Sequence, residues 1–163
     1  MSLRPPPVVE GEKTRLVAWS RELRAVHDRL REALSVTRQT LADGAPAAPA
    51  TRELLLFCHG FCAALTAHHQ GEDRDLFPIV AEQHPELRQT LAYLRQDHSM
   101  IEYLLAGLQA AVARTATPAE LDRHLEGLAA IMESHFRYEE RALSTVLETL
   151  SLEADPETVL GPL

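Results

Sequence analysis

Four stretches of this chain repeat apolar residues at intervals of three and four, and three of the stripes hold a histidine where a leucine would complete the rhythm. Such spacing puts side chains on one face of an α-helix, so each stretch predicts an amphipathic helix with a buried stripe. The first runs from about Thr14 to Leu41 through Leu16, Leu23, His27, Leu30, Leu34, Thr37 and Leu41. The second starts near Thr51 and carries Leu54, Phe57, Cys58, Phe61, Cys62 and Leu65 toward Phe77, with His68 and His69 at its edge. Leu87, Leu91, Leu94, His98, Ile101, Leu105, Leu108 and Val112 form the third. The fourth passes through Leu121, Leu125, Leu128, Met132, His135, Glu139, Leu143, Val146 and Leu150.

Breakers separate the stripes. Asp43-Gly44-Ala45-Pro46 ends the first and Pro49 keeps the chain extended. Pro78 kinks or stops the second, and His84-Pro85 marks the next turn. Thr117-Pro118-Ala119-Glu120 is a capping box with proline at the first helical position. Long helices joined by such short links pack as antiparallel neighbours, which predicts an all-α, up-down-up-down four-helix bundle. Its expected extent is residues 13–150. A Pro-rich flexible lead-in occupies 1–12, and a tail with Pro156, Gly161 and Pro162 is expected to hang loosely over 151–163.

A length of 163 residues suits one domain, and only seven glycines beside abundant Ala, Leu, Glu and Arg favour helix. The formal net charge of −8 argues against a nucleic-acid partner held by phosphate neutralisation. No apolar run approaches the ~20 residues of a membrane span. The opening Met-Ser-Leu-Arg-Pro-Pro-Pro lacks the apolar core of a signal peptide, so a cytoplasmic location is expected. Cys58 and Cys62 lie one turn apart on one helix, a poor geometry for a disulfide, and read as small buried apolar residues.

The histidines carry the chemistry. Burying an imidazole without a partner costs roughly 1–3 kcal/mol, and one core histidine is ordinarily satisfied by a neighbour. One on every helix needs a joint explanation. Glutamates follow at the same offset of four: Glu72 after His68, Glu102 after His98 and Glu139 after His135. That offset shares a helix face. A buried carboxylate is expensive unless paired or bound to a cation, and its recurrence favours a metal cluster over isolated His–Glu pairs.

Height along the bundle is an independent check. At ~1.5 Å per residue, His27 and His68 lie roughly 21 and 25 Å from the first turn. His68 and His98 lie roughly 15 and 18 Å from the second, and His98 and His135 roughly 22 and 24 Å from the third. All four imidazoles therefore fall within about one turn of a common layer. His59 points off its stripe, His84 sits in a turn, and His124 lies roughly 16 Å from His135, so these three are assigned to solvent or edge positions. Helical phase alone does not separate His68 and Glu72 from His69 and Asp73. The offset shared with the fourth helix favours His68 and Glu72, leaving His69 and Asp73 behind the ligands or at the surface. Whether Glu102 ligates or only hydrogen-bonds His98 stays open.

Four segments now carry a resemblance: Val26-His27-Asp28, HHQGEDRDLFP from His68 to Pro78, Asp97-His98 with Ile101, and HFRYEE from His135 to Glu140. Together they resemble the hemerythrin-like, HHE cation-binding proteins of bacteria over about residues 15 to 150. The resemblance implies a pair of iron ions held by His27, His68, Glu72, His98, His135 and Glu139. The two glutamates would bridge them, with an oxo, hydroxo or water bridge completing the cluster.

Reversible oxygen carriers of that family place a second histidine on the third helix, one turn from the first. Here Leu94 and Glu102 occupy those positions. Carriers also supply an aspartate five residues after the fourth-helix histidine, where this chain has Glu139 at four and Glu140 at five. Fewer imidazoles and more carboxylates favour ferric iron and open coordination positions, which argues for redox turnover over storage. The expected partner is a small oxidant: hydrogen peroxide in a catalase-like reaction, or dioxygen or nitric oxide. Tyr103 and Tyr138 are candidate hydrogen-bond or electron donors, against ordinary packing at the rim. The alternatives are a sensor or storage module for dioxygen, nitric oxide or iron without turnover, and an iron donor for iron–sulfur cluster repair. A structural zinc site fits less well, since zinc favours four closed ligands.

Overall fold

Each long helix is amphipathic, and its buried positions follow the stripe in the sequence. The computed structural model describes residues 18–44 and 48–162. Helix α1 (Trp19–Ala42) buries Leu23, Val26, His27, Leu30, Leu34, Thr37 and Leu41. Helix α2 (Arg52–Gly71) starts where Thr51 Oγ1 accepts a hydrogen bond from the Leu54 N–H at 3.3 Å, a capping interaction that satisfies one free donor of the first turn. The chain continues through a π turn (Glu72–Leu76) into α3 (Phe77–Gln83). A 3₁₀ turn at Pro85–Leu87 leads into α4 (Arg88–Ala113). The fourth long helix, α5 (Pro118–Glu148), begins with Pro118 inside its first turn, and Thr117 accepts from the Glu120 N–H. Only half of the expected capping box forms, because the Glu120 carboxylate pairs with Arg114 instead.

Among the described residues all regular structure is helical. Helix α1 packs on α2 and α5, and α4 packs on α2 and α5, closing a ring of four around one core. The α1–α2 and α4–α5 connections meet at one end, where the Ala50 N–H donates to the Ala116 carbonyl at 3.0 Å. Gln83 and Ser151 meet elsewhere, the Gln83 side chain donating to and accepting from the Ser151 backbone. The expected lead-in at 1–12, the helix start at Thr14 and the breaker pair Ala45-Pro46 lie outside the described residues.

Two expectations need correction. Pro78 does not stop the second helix. Proline lacks an N–H and its ring clashes with the carbonyl four residues back. The π turn, with the Phe77 N–H bonded to the Glu72 carbonyl, widens the backbone just before it and lets helix resume. The tail is not loose either. Residues Pro156–Leu160 form a short helix, α6, capped by Asp155, with Val159 and Leu160 buried against α1, α2 and the π turn. Its approach is anchored by Trp19 Nε1, which donates to the Leu152 carbonyl at 3.1 Å.

Candidate metal centre

The histidines of the four long helices meet at one level of the core. His27 projects from α1, His68 and His69 from the last turn of α2, His98 from α4 and His135 from α5. Glu72 opens the π turn one helical turn after His68, and Glu139 stands one turn after His135 on α5. All seven side chains are at most 6% exposed.

Their ligand atoms fall into two groups, within each of which every atom lies within 4.8 Å of the others. One comprises His27, His68, Glu72 and Glu139, and the other His69, Glu72, His98 and His135. Glu72 belongs to both, and its Oε1 lies 3.2 Å from His68 Nε2 and 3.4 Å from His98 Nε2. Glu139 also spans the centre, with Oε1 at 3.6 Å from His27 Nε2 and Oε2 at 3.1 Å from His135 Nε2. The Nε2 atoms of His27 and His68 face each other at 3.1 Å, as do those of His98 and His135.

The outward nitrogens are pinned. His98 Nδ1 lies 2.8 Å from Asp73 Oδ1, His135 Nδ1 lies 3.0 Å from Asp97 Oδ2, and His68 Nδ1 lies 2.8 Å from the Leu160 carbonyl oxygen. These acceptors favour a proton on Nδ1 and turn an Nε2 lone pair inward, the tautomer that a cation needs. The fourth arrangement is looser: His27 Nδ1 is 3.7 Å from Glu140 Oε1. Arg31 grips that carboxylate with Nη1 and Nη2 at 3.3 and 2.9 Å and reaches Glu133 with Nε at 2.9 Å. Stacking completes the walls, with the His27 ring 3.8 Å from Phe136 and the His69 ring 3.9 Å from His98.

Burial and charge set the protonation states. Burial drives the pKa of His68 down to about 3 and that of His69 well below the usual imidazole range, so both rings are neutral. Burial also acts to lower His27 and His135, but Glu139 together with Glu140 at His27 and with Asp97 at His135 outweighs it, and both rise. Desolvation and the adjacent Glu139 push Glu72 well above the usual carboxylate range. Burial opposes ionisation of Glu139 too, yet its polar neighbours Glu72, His135 and His27 hold it well below. Glu140 behaves similarly, with His27 and Arg31 overcoming its partial burial to hold it at about 2.

Six buried polar atoms of the centre have no hydrogen-bond partner: His27 Nδ1, His69 Nε2 and both oxygens of Glu72 and of Glu139. Each unsatisfied buried group costs about 1–3 kcal/mol, more if charged, and such a concentration is foreign to an ordinary core. Five of the six belong to the two groups as inward donors. Imidazole nitrogens and carboxylate oxygens are the donors that borderline transition metals take. Seven donors in two groups sharing a carboxylate exceed what one tetrahedral ion accepts. The residues fit a pair of cations.

The structure brings together His27, His68, Glu72, His98, His135 and Glu139, all singled out in the sequence. Their neighbours agree with the expectation in part. His69, expected behind the ligands or at the surface, is buried and belongs to the second group. Asp73 is half-exposed and acts on His98 from outside. Glu102 is exposed, so the expected pairing with His98 is absent. Tyr103 is 76% exposed, whereas Tyr138 packs against the core. His59 is exposed, and His84 and His124 are intermediate, away from both groups. Cys58 and Cys62 are buried free thiols. Asp97, which no spacing rule singled out as an orienting group, was visible only as the residue before His98.

Fold and site together define a helical-bundle metalloprotein with a histidine–carboxylate centre. Residues 20–147 match the family model described as the hemerythrin HHE cation binding domain, and the chain belongs to that family. No characterised protein sequence and no solved structure matches it. Among the described residues no helix is long and apolar enough to cross a membrane.

Proposed function

We propose that the centre binds two iron ions and reacts with a small oxidant, hydrogen peroxide first, with dioxygen or nitric oxide as the other candidates. The observation that carries this reading is the set of orphaned inward donors divided into two groups around Glu72. One group would be His27, His68, Glu72 and Glu139, and the other His69, Glu72, His98 and His135, with Glu139 reaching across. Bound iron supplies redox change and Lewis acidity.

The chain supplies the rest. Asp73, Asp97 and the Leu160 carbonyl hold three imidazoles in the ligating tautomer. Arg31 keeps Glu140 ionised, which sets a negative charge 3.7 Å from His27 Nδ1. Phe136, Phe77 and the surrounding leucines exclude water. Every candidate ligand side chain is at most 6% exposed, so the centre is enclosed by packed side chains. That favours peroxide or a diatomic gas over an organic substrate.

A second reading, reversible binding of dioxygen or nitric oxide without turnover, is favoured by His69. It adds an imidazole from α2 to the group of His98 and His135, which weakens one of the two sequence arguments against a carrier. One experiment separates the readings. Protein loaded with ferrous iron under argon is analysed for metal and then mixed with peroxide over an oxygen electrode. Two irons per chain and sustained conversion of 2 H₂O₂ into O₂ and 2 H₂O support turnover. A spectral change with dioxygen that reverses under argon, without oxygen release from peroxide, supports binding alone. Protein that takes up no iron overturns both.

A further inference from the structure

The tail enters the metal centre from outside the matched family region, which ends at residue 147. Its last helical residue, Leu160, is fully buried, and its carbonyl oxygen lies 2.8 Å from Nδ1 of the fully buried His68. A carbonyl only accepts. Nδ1 must therefore carry the ring proton and donate it, which leaves the lone pair on Nε2, facing His27 Nε2 and Glu72 Oε1 at 3.1 and 3.2 Å. The other two pinned histidines take their partners, Asp73 and Asp97, from the π turn and α4. His68 alone among the three is held by a segment beyond the matched family region.

Two glycines keep the tail in place. A Cβ at Gly71 would lie 2.1 Å from the Val159 carbonyl oxygen and 2.8 Å from its carbon, backbone atoms that cannot turn aside. Alanine is ordinarily preferred to glycine inside a helix, so the residue at 71 answers to the contact and not to helix formation. Gly161 has φ +97°, and a Cβ there would meet the His68 backbone nitrogen at 3.2 Å. Arg74 Nη2 donates to the Thr158 carbonyl at 3.2 Å, and Trp19 Nε1 to that of Leu152 at 3.1 Å.

We propose that residues 151–161 are a positioning element of the metal centre, in which the Leu160 carbonyl sets the tautomer and ring plane of His68. The proposal rests on the reading of the centre as a two-cation site. It also makes the two groups unequal. A neutral carbonyl lends an imidazole less basicity than a carboxylate does, so His68 is a weaker donor than His98 or His135.

The test compares full-length Gly71→Ala and Gly161→Val with the wild type and with Gly60→Ala, whose added Cβ would meet nothing within 4 Å. After loading with ferrous iron, release to a ferrous chelator is timed. The wild type and Gly60→Ala are expected to release iron in two phases. Gly71→Ala and Gly161→Val are expected to speed one phase roughly tenfold or more while far-ultraviolet circular dichroism stays unchanged. In metal-free protein, ¹⁵N resonances of the imidazoles report the proton directly: on Nδ1 of His68 in the wild type and Gly60→Ala, redistributed in the other two. Equal release from all four proteins, or a His68 Nδ1–H that survives in both variants, overturns the proposal. A wild type that takes up no iron overturns the two-iron reading, whereas the imidazole spectrum tests the tail's hold on His68 by itself.

Discussion

Replacing Glu72 by alanine removes a carboxylate shared by both donor groups, whereas replacing His69 empties a position in one. Elemental analysis after reconstitution is expected to find Glu72→Ala without either cation and His69→Ala with one. Asp97→Asn keeps size but weakens the acceptor on His135 Nδ1, and is expected to lower metal affinity roughly 10–100-fold in a chelator competition. Cys58 and Cys62 test the core itself. Burial raises their thiols from 9.0 to about 11 and about 12, and the thiolate is the reactive form. At pH 8 a disulfide reagent is expected to label them only as fast as the chain unfolds. Unfolded thiols ionise near pH 9 while folded ones resist, so this contribution to stability is intact below pH 9 and declines as pH rises from there toward about 11. Denaturant titrations at pH 8 and 10 check the sign. At this scale the sequence revealed the candidate ligands that replace seam residues, because a histidine in a leucine rhythm is conspicuous. It misjudged those beside a seam. Glu102 follows Ile101, through which the buried stripe of α4 passes, so it faces outward. His69 sits one residue from His68, and both flank the same seam.

Local backbone chemistry decides where the elements begin and end. Thr117 caps α5 through the Glu120 N–H, with Glu120 itself engaged by Arg114. Thr117→Ala is expected to lower unfolding free energy by about 1 kcal/mol and the melting temperature by about 2–4 °C, read by thermal denaturation. Thr51 and Thr117 cap helices where the sequence placed helix starts, Thr117 within a capping box. The π turn was not expected. Its signature in sequence is only Pro78 following an acidic run, and a proline ordinarily means that a helix has ended. What reverses that rule is the wider turn from Glu72 to Leu76, which also delivers Glu72 inward and Asp73 toward His98. The tail was misread for a related reason. Pro156 and Gly161 suggest irregular chain, but proline is favoured in a first helical turn, and Val159 with Leu160 supplies the apolar contact.

Across the whole molecule, the centre is the costliest part of the fold without its cations, because it gathers buried imidazoles and two carboxylates in one layer. A ligand that binds only the folded chain stabilises it, by about 2.7 kcal/mol at a hundred times its dissociation constant. Chelator-stripped protein is therefore expected to melt at a lower temperature than the iron-loaded form, and readdition of ferrous iron to restore the difference in calorimetry. The bundle itself was legible because helix periodicity, short links and apolar content all agree. Its partners in chemistry come from positions as far apart as His27 and Glu139, each on a different rod. On the two-iron reading, neither group is complete until α5, which carries His135 and Glu139, has been synthesised and has docked. Loading would then follow folding, and a cell short of iron would accumulate finished but colourless molecules instead of stalled nascent ones.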